Sequence, residues 1–206
     1  MSVLFGKYGK FYSVAGFISR PPEKIVQKVK KKLKRYYDEI SDSEVDSWKD
    51  SYPILADAFN QLPEDYGNLW IFLEYIIPNK KPGSDSYNNG KHCRVDAVLL
   101  SADKLLVLEF KQTRADRSDL IEKHVKKTKH YGNQIRKYHD ESAGMEVRCL
   151  VVETWAEPMQ IIKNGIHVCS KDKLAEEILA FMGEHPQTHL FPKQWAESNY
   201  SIREEQ

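Results

Sequence analysis

Two apolar segments joined by a very short connection constrain the fold of this chain more than any other feature. The segments CRVDAVLL (93–100) and KLLVLEFKQ (104–112) have the composition of β-strands, and only three residues separate them. Two strands with so short a connection are expected to pair as an antiparallel hairpin. Apolar residues fill both alternating faces, as in a sheet that is covered on both sides. The sequence therefore predicts the central strand pair of a layered domain.

The register of this hairpin would bring four charged residues together. With a tight turn, Asp96 faces Glu109 and Arg94 faces Lys111 on the neighbouring strand; a longer loop would change this register. Residues two positions apart share a face of a strand, so the four charged side chains are expected on one face, at one end of the hairpin. Apolar residues continue that face (Val98, Leu100, Leu105, Val107) and line the other (Val95, Ala97, Leu99, Leu106, Leu108, Phe110).

Charges in such an apolar sheet are costly unless they are paired or bound to a metal. Two carboxylates that face each other across a strand pair, about 5 Å apart, also repel. A divalent cation between Asp96 and Glu109 would relieve both problems, and hard oxygen ligands suit Mg²⁺ or Mn²⁺. The alternative on spacing alone is an ion-pair cluster in which Arg94 and Lys111 neutralise the two carboxylates.

Two helices are predicted before the hairpin. Apolar residues recur at intervals of three or four over 23–40 and again over 42–61. The second helix is expected to begin near Ser41 or Ser43 as its N-cap, and Pro53 falls inside it.

The remaining segments complete a predicted α/β domain. LWIFLEYII (69–77) predicts a strand, and after the hairpin we expect a long helix with Ser118 as N-cap, a strand, a short strand and a closing helix (117–140, 145–153, 166–168, 171–182). The order helix–strand–strand–strand–helix–strand indicates one domain around a mixed sheet. It comprises an N-terminal helical extension, a core and C-terminal additions (1–41, 42–153, 154–206).

Basic residues concentrate in a few segments although the net charge of the chain is only +1. The helices 23–40 and 117–140 combine an apolar stripe with many lysines and arginines, so local basic faces could bind a phosphate backbone. Possible phosphate contacts are Arg114, Arg117 and Lys127; the alternative for any single lysine is a solvated helix face. The polar, turn-rich stretch 78–92 predicts a mobile loop.

Composition excludes several other classes. The three cysteines lack CxxC spacing, so neither a disulfide framework nor a zinc site is indicated. Apolar runs are far shorter than the ~20 residues of a membrane-spanning helix. The first residues lack the apolar core of a secretory signal, so a cytoplasmic protein without membrane association is expected.

The charged residues of the hairpin form a recognisable pattern. Asp96, followed after an interval by Glu109-Phe110-Lys111, resembles the PD-(D/E)XK signature of the restriction-endonuclease-like nucleases, although Val95 stands where the name of the motif has proline. The segment 134–138, QIRKY, resembles the QxxxY motif of the RecB-like branch. The similarity covers about 42–153, where the predicted element order matches the αβββαβ core of that superfamily. The chain also resembles the small nuclease domain found beside helicases in some bacterial proteins.

The resemblance implies a metal-dependent active site at one end of the hairpin. Asp96 and Glu109 would bind Mg²⁺, for which Mn²⁺ could substitute, together with the backbone carbonyl of Phe110. The metal would lower the pKa of a bound water and offset charge on the scissile phosphate. Lys111 would orient the attacking water or stabilise the transition state.

Further site residues are less tightly defined. Glu74, in an otherwise apolar strand, is the candidate for an additional ligand; a salt bridge with Arg94 is the alternative, and Glu44 and Glu64 are weaker candidates. Arg94 could also support the site. Gln134 and Tyr138 share a helix face with Tyr131 and would support the site or contact substrate; the alternative is that the tyrosine packs in the core with Gln134 at its rim.

The resemblance implies a DNA endonuclease that acts in defence against foreign DNA or in repair. A small nuclease without its own helicase needs a protein partner, such as a helicase, another ATPase or a sensor subunit, or it acts as a homo-oligomer. Two alternatives are a catalytically silent nucleic-acid-binding or assembly module of the same fold, and a nuclease directed at RNA.

Overall fold

A mixed β-sheet of seven strands organises the part of the chain that the computed structural model describes, namely residues 4–78, 93–113 and 118–201. The strands are β1 Leu4–Phe5, β2 Lys7–Ser13, β3 Trp70–Ile77, β4 Cys93–Leu100, β5 Lys104–Lys111, β6 Glu146–Glu153, β7 Gln160–Lys163, β8 Ile166–Ser170 and β9 Asn199–Tyr200. The helices are α1 Val14–Ile18, α2 Pro22–Leu33, α3 Asp42–Phe59, α4 Ser118–Tyr138, α5 Leu174–Met182 and α6 Pro192–Ala196, with short 3₁₀ turns at Glu64–Asn68, Asp140–Ser142 and Lys171–Lys173.

The order of the elements along the chain and the mixed sheet confirm the predicted α/β class. The seven-stranded sheet runs β2-β3-β4-β5-β6-β8-β7, and β1 pairs separately with β9. Strands β5 and β6 are parallel, as are β6 and β8, whereas the other neighbours are antiparallel. The elements α3, β3, β4, β5, α4 and β6 therefore form the predicted helix–strand–strand–strand–helix–strand sequence in an α/β protein with a mixed sheet.

The predicted additions at both ends belong to this sheet rather than lying outside it. Strands β2 and β7, neither of which was predicted, form its two edges, and β8 extends it beyond β6. Trp195 is fully buried against the sheet. Strand β7 has only four residues, none of them buried, so it carries a weak alternation signal.

Helix α3 begins where its sequence predicts. The Ser41 hydroxyl accepts a hydrogen bond from the Glu44 amide, and the Glu44 carboxylate accepts one from the Ser41 amide, so the two form a capping box. Pro53 lies inside the helix without ending it. Helix α2 is shorter than predicted and ends at Leu33. Beyond it, Tyr36, Tyr37 and Ile40 pack against the core, and Tyr37 contacts Arg94 of β4.

The sheet buries an apolar core on each face. One core lies under α2, α3 and α5 (Ile25, Leu33, Trp48, Leu55, Leu99, Leu106, Leu108, Phe181). The other lies under α4 and α6 (Val98, Val107, Val125, Ile135, Cys149, Val151, Trp195). Both faces are therefore covered, as the apolar strands predicted. No helix among the described residues is long and apolar enough to cross a membrane.

The alternation of side chains reverses in the middle of β3. Leu73 packs in the α3-side core and Tyr75 in the α4-side core, although residues two apart ordinarily share a face. The residue between them, Glu74, has a φ of 53°, in the left-handed region that few non-glycine residues adopt. Gly9 lies across from it on β2, where an added Cβ would stand 3.1 Å from the Glu74 Cβ.

This reversal corrects one part of the predicted hairpin. Strand β4 pairs with β3 and changes faces at the same level. Val95 therefore packs in the α4-side core together with Val98, whereas the prediction put these two residues on opposite faces. Arg94 contacts residues on the α3 side, so it does not share a face with Glu109 and Lys111 as predicted. A left-handed glutamate has no recognisable sequence signal, so strict alternation was the wrong assumption here.

Candidate active site

The hairpin has the predicted register. Ala97 pairs with Leu108 and Leu100 pairs with Leu105, and the strand pairing ends at Ala97 on the side of the charged residues. Beyond this point the Phe110 amide donates a hydrogen bond of 2.7 Å to Asp96 Oδ2. The strands thus part at the level where acidic side chains enter, and the Asp96 carboxylate is fixed by the backbone of the neighbouring strand.

Three of the predicted catalytic residues meet at this point. The Lys111 ammonium lies 2.7 Å from Glu109 Oε2 and 3.9 Å from Asp96 Oδ2. Glu109 is 0% exposed, whereas Asp96 and Lys111 remain partly accessible. We call Asp96, Glu109 and Lys111 the charged cluster. It has one buried carboxylate, one accessible carboxylate and one lysine between them, at the end of β5.

Burial and crowding of negative charge shape the protonation of the cluster. Burial, followed by repulsion from Asp96, raises the pKa of Glu109 to about 7 despite the lysine beside it. Burial alone would lower the pKa of Lys111, but Asp96 and Glu109 outweigh it and raise that pKa. Glu109 Oε1 is buried without a hydrogen-bond partner in the described part of the chain. The cluster therefore has unsatisfied negative charge.

Glu74 forms the salt bridge that was the alternative to metal binding. Its Oε2 lies 2.6 Å from Arg94 Nε, while Glu44 binds the other side of the same guanidinium and Tyr37 stacks on it at 5.3 Å. Burial, followed by Asp96, raises the pKa of Glu74, so this carboxylate still senses the charged cluster. Its Oε1 has no hydrogen-bond partner among the described residues.

The two other acidic candidates lie at different places. Glu44 caps α3 and binds Arg94, which places it beside Glu74 on the α3 side of the sheet. Glu64 is exposed in the turn that precedes β3, and that end of β3 pairs with Leu100, far along β4 from the charged cluster. The geometry therefore separates Glu64 from the site.

Helix α4 brings some of its predicted residues to the cluster and not others. His124 bonds to the end of β6 and Arg136 to its beginning, so the N-terminal part of α4 lies at the end of the sheet that carries the cluster. Burial, followed by Glu109, raises the pKa of Tyr131, and the Lys127 ammonium lies 5.4 Å from the Tyr131 ring centre. Tyr131 and Lys127 are thus close to the charged cluster.

The QxxxY pair lies farther along the same helix. Gln134 and Tyr138 follow His124 by ten or more residues, which corresponds to about 15 Å or more along a helix. Tyr138 is near the chain end, where its carbonyl accepts a hydrogen bond from the Ser201 amide. Gln134 lies about one helical turn beyond Tyr131, and no hydrogen bond or ion pair among the described residues links Gln134 or Tyr138 to the charged cluster, so their role at the site stays a prediction. Arg114 and Arg117 lie outside the described residues, as do the Ser118 side chain and loop 78–92 after Pro78.

One residue that sequence reasoning missed lies next to the cluster. Glu153 ends β6, pairs in register with Lys111, and is completely buried. Its Oε1 lies 3.0 Å from His124 Nδ1, and its Oε2 has no partner in the described part. The signal was available: Glu153 follows the apolar run CLVV, just as Glu109 follows LLVL.

The residues present fit an open cation site rather than a closed cage. Within the described residues, no three His, Cys, Asp or Glu side chains lie close enough together to enclose a metal ion. Asp96 and Glu109 supply hard carboxylate oxygens, one of them orphaned and buried. Mg²⁺ commonly binds through one or two carboxylates and takes its other ligands from water and substrate phosphates, and this donor set suits that mode.

Comparisons with protein-family models, with curated proteins and with solved structures found no match.

Proposed function

We propose that this protein is a metal-dependent phosphodiesterase with a restriction-endonuclease-like core and its active centre at Asp96, Glu109 and Lys111. The observation that carries the proposal is the fully buried Glu109, which has one unpartnered oxygen, beside Asp96 and in contact with Lys111. A carboxylate placed in this way destabilises the folded protein, because its charge is neither solvated nor fully paired. Groups of this kind are concentrated at functional sites.

The balance of charge favours a cation site over a closed ion-pair cluster. Arg94 is engaged by Glu74 and Glu44 on the α3 side, so it does not neutralise the charged cluster. Lys111 is in direct contact with both carboxylates, Lys127 acts on Glu109 without an ion-pair contact in the described structure, and the buried Glu153 lies on the adjacent strand. An additional positive charge is therefore favourable here.

Each residue of the cluster has a role in this proposal. A bound Mg²⁺ or Mn²⁺ would supply Lewis-acid chemistry, activating water and offsetting charge on the phosphate. Asp96 and Glu109 would hold the ion, with the Phe110 carbonyl as a further ligand. The Phe110 amide orients Asp96 by its 2.7 Å hydrogen bond. Lys111 is partly accessible and carries three donors on a compact charge, which suits it to orient water or an anionic phosphate oxygen.

Basic and aromatic residues at the same end of the sheet as the site favour a nucleic acid as substrate. Lys32 lies 5.8 Å from the ring centres of both Tyr8 and Tyr36, and Lys7 lies 5.2 Å from that of Tyr36. Lys7 pairs with a β3 residue that itself pairs with Arg94 on β4, and Glu109 and Lys111 are on the next strand, β5, so three strand spacings, about 14 Å, separate Lys7 from them. Cations beside aromatic rings are typical of surfaces that follow a sugar–phosphate backbone and stack bases.

Within this class we infer a DNA endonuclease that acts with a protein partner or as a homo-oligomer, in defence or repair. The partner could be a helicase, another ATPase or a sensor subunit. A silent binding or assembly module is less consistent with the site, since Asp96, Glu109 and Lys111 are all present and in contact. An RNA-directed nuclease shares the same chemistry and is distinguished by the substrate.

The test compares cleavage by wild type, Glu109→Gln and Glu176→Gln, an exposed control whose partner is Lys173. Substrates are supercoiled plasmid and labelled single-stranded DNA and RNA of one sequence, each with Mg²⁺, Mn²⁺ or EDTA. We expect metal-dependent DNA cleavage by wild type and the control, and loss in Glu109→Gln. Cleavage that persists in Glu109→Gln would refute the assigned site. Binding without cleavage by wild type would favour the silent module, and cleavage of RNA alone would favour the RNA-directed nuclease.

A further inference from the structure

Glu153 is a buried acid next to Lys111, and the proposed function gives it no role. The two residues are in register on the parallel strands β5 and β6. Cys149 and Val151 pack in the α4-side core, so Glu153, two positions further on, faces the same side. Glu109 and Lys111 face this side too, because Val107 does. Lys111 therefore stands between a carboxylate on its own strand and another on the next strand.

The two oxygens of Glu153 have different environments. His124 Nδ1 lies 3.0 Å from Oε1, where an N–H group donates to the carboxylate and fixes its orientation. Oε2 is buried and has no hydrogen-bond partner in the described part of the chain. A buried carboxylate oxygen without a donor is unfavourable, so an arrangement that brings a donor to Oε2 would be favoured.

The position of Lys111 conflicts with cation binding at Glu109. The ammonium lies between the two carboxylates, 2.7 Å from Glu109 Oε2 and 3.9 Å from Asp96 Oδ2, which is the space that a divalent cation held by both residues would enter. Two positive charges at so short a separation repel strongly in a buried site. Lys111 must therefore find another partner when the cation binds, and neighbouring strands are only about 4.8 Å apart.

We infer that Glu153 is this second partner: on cation binding the Lys111 ammonium turns from Glu109 Oε2 to Glu153 Oε2, and His124 holds Glu153 in place to receive it. Glu153 is thus a positioning residue, which acts on the site through Lys111. The inference rests on the proposed function, because it requires a cation at Asp96 and Glu109. Glu153 already contributes to the raised pKa of Lys111, after the opposing effect of burial and the larger effects of Asp96 and Glu109.

The experiment measures Mn²⁺ affinity without cleavage, by calorimetry and by electron paramagnetic resonance of free Mn²⁺. Four proteins form a cycle: wild type, Glu153→Gln, Lys111→Met and the double variant. We expect Glu153→Gln to weaken Mn²⁺ binding about tenfold or more, because Lys111 then stays on Glu109. Lys111→Met removes the competitor and should strengthen binding. In that background Glu153→Gln should have no further effect.

The controls separate this mechanism from simpler ones. Glu177→Gln removes a similarly buried carboxylate that bonds to His167 on the other face of the sheet, and it should leave Mn²⁺ affinity unchanged. An equal loss from Glu153→Gln with and without Lys111 would mean that Glu153 attracts the cation directly, and would overturn the inference. So would an unchanged affinity in Glu153→Gln. A wild type that binds no Mn²⁺ would refute the proposed function and this inference with it.

A second measurement requires no replacement of Lys111. In protein with ¹⁵N-labelled lysine, the ammonium signal of Lys111 should remain protected from solvent exchange after Mg²⁺ is added to wild type. In Glu153→Gln, Mg²⁺ at a concentration that saturates the weakened site should abolish that protection, because the displaced ammonium has no second carboxylate. Protection that survives in the variant would contradict the inference.

Discussion

Replacing Glu109 by glutamine should stabilise the metal-free protein and remove its response to metal. The pKa of Glu109 rises from an ordinary value of 4.5 to about 7, chiefly through burial and then through Asp96. Because each pKa unit corresponds to about 1.4 kcal/mol, ionised Glu109 destabilises the folded state by about 3 kcal/mol. Glutamine resembles the protonated acid in size and lacks the charge, so it removes this penalty.

The size of the effect depends on pH in a defined way. Below pH 4.5 the carboxyl is protonated in both states, and its favourable contribution is fully present. Between pH 4.5 and about 7 the unfolded chain loses the proton first, so stability falls as pH rises through the folded pKa. Glu109→Gln should therefore differ little from wild type at pH 4.5 and exceed it by about 3 kcal/mol at pH 8.

Urea denaturation in EDTA at these two pH values measures the difference directly. Addition of Mg²⁺ should then stabilise wild type in proportion to its binding, and should leave Glu109→Gln unchanged. A stability difference that is the same at both pH values would refute the assigned burial cost. A glutamine variant that Mg²⁺ stabilises as much as wild type would refute the assigned ligand.

Three further predictions concern parts of the molecule around the site. Ser41→Ala breaks the α3 capping box and should lower the free energy of unfolding by about 1 kcal/mol in urea denaturation. Lys32→Ala should weaken DNA binding regardless of sequence and reduce the slope of log affinity against log salt by about one in fluorescence titrations. Burial raises the pKa of Cys149 to about 11 and that of Cys169 to about 12, so mass spectrometry at pH 8 should find both thiols slow to alkylate in the native protein and fast in urea.

The hairpin could be predicted because its connection leaves few choices of register. With only three residues between β4 and β5, the positions of Val98, Leu100, Leu105 and Val107 on one face followed directly, and Asp96 and Glu109 were placed near each other. Local sequence was also sufficient for the start of α3, where the hydroxyl and carboxylate of the capping box have a fixed spacing.

Other features depend on contacts that the sequence does not display. The left-handed backbone of Glu74 moved Arg94 and Val95 to faces that alternation did not predict. The packing of α4 on the sheet decided that Tyr131 and Lys127 lie near the charged cluster. Both outcomes follow from the packing of one element on another, which a single segment cannot reveal.

The contrast between Glu74 and Glu109 indicates where the function lies. Both are buried acids in apolar strands, and each has one oxygen without a partner in the described structure. Glu74, however, has a guanidinium at 2.6 Å that Glu44 shares and Tyr37 covers, so a structural role accounts for it. Glu109 shares its lysine with Asp96, and the buried Glu153 is the next residue across the sheet from that lysine. A surplus of negative charge that the protein leaves unpaired beside an accessible lysine is the arrangement that a cation and an anionic substrate would complete together.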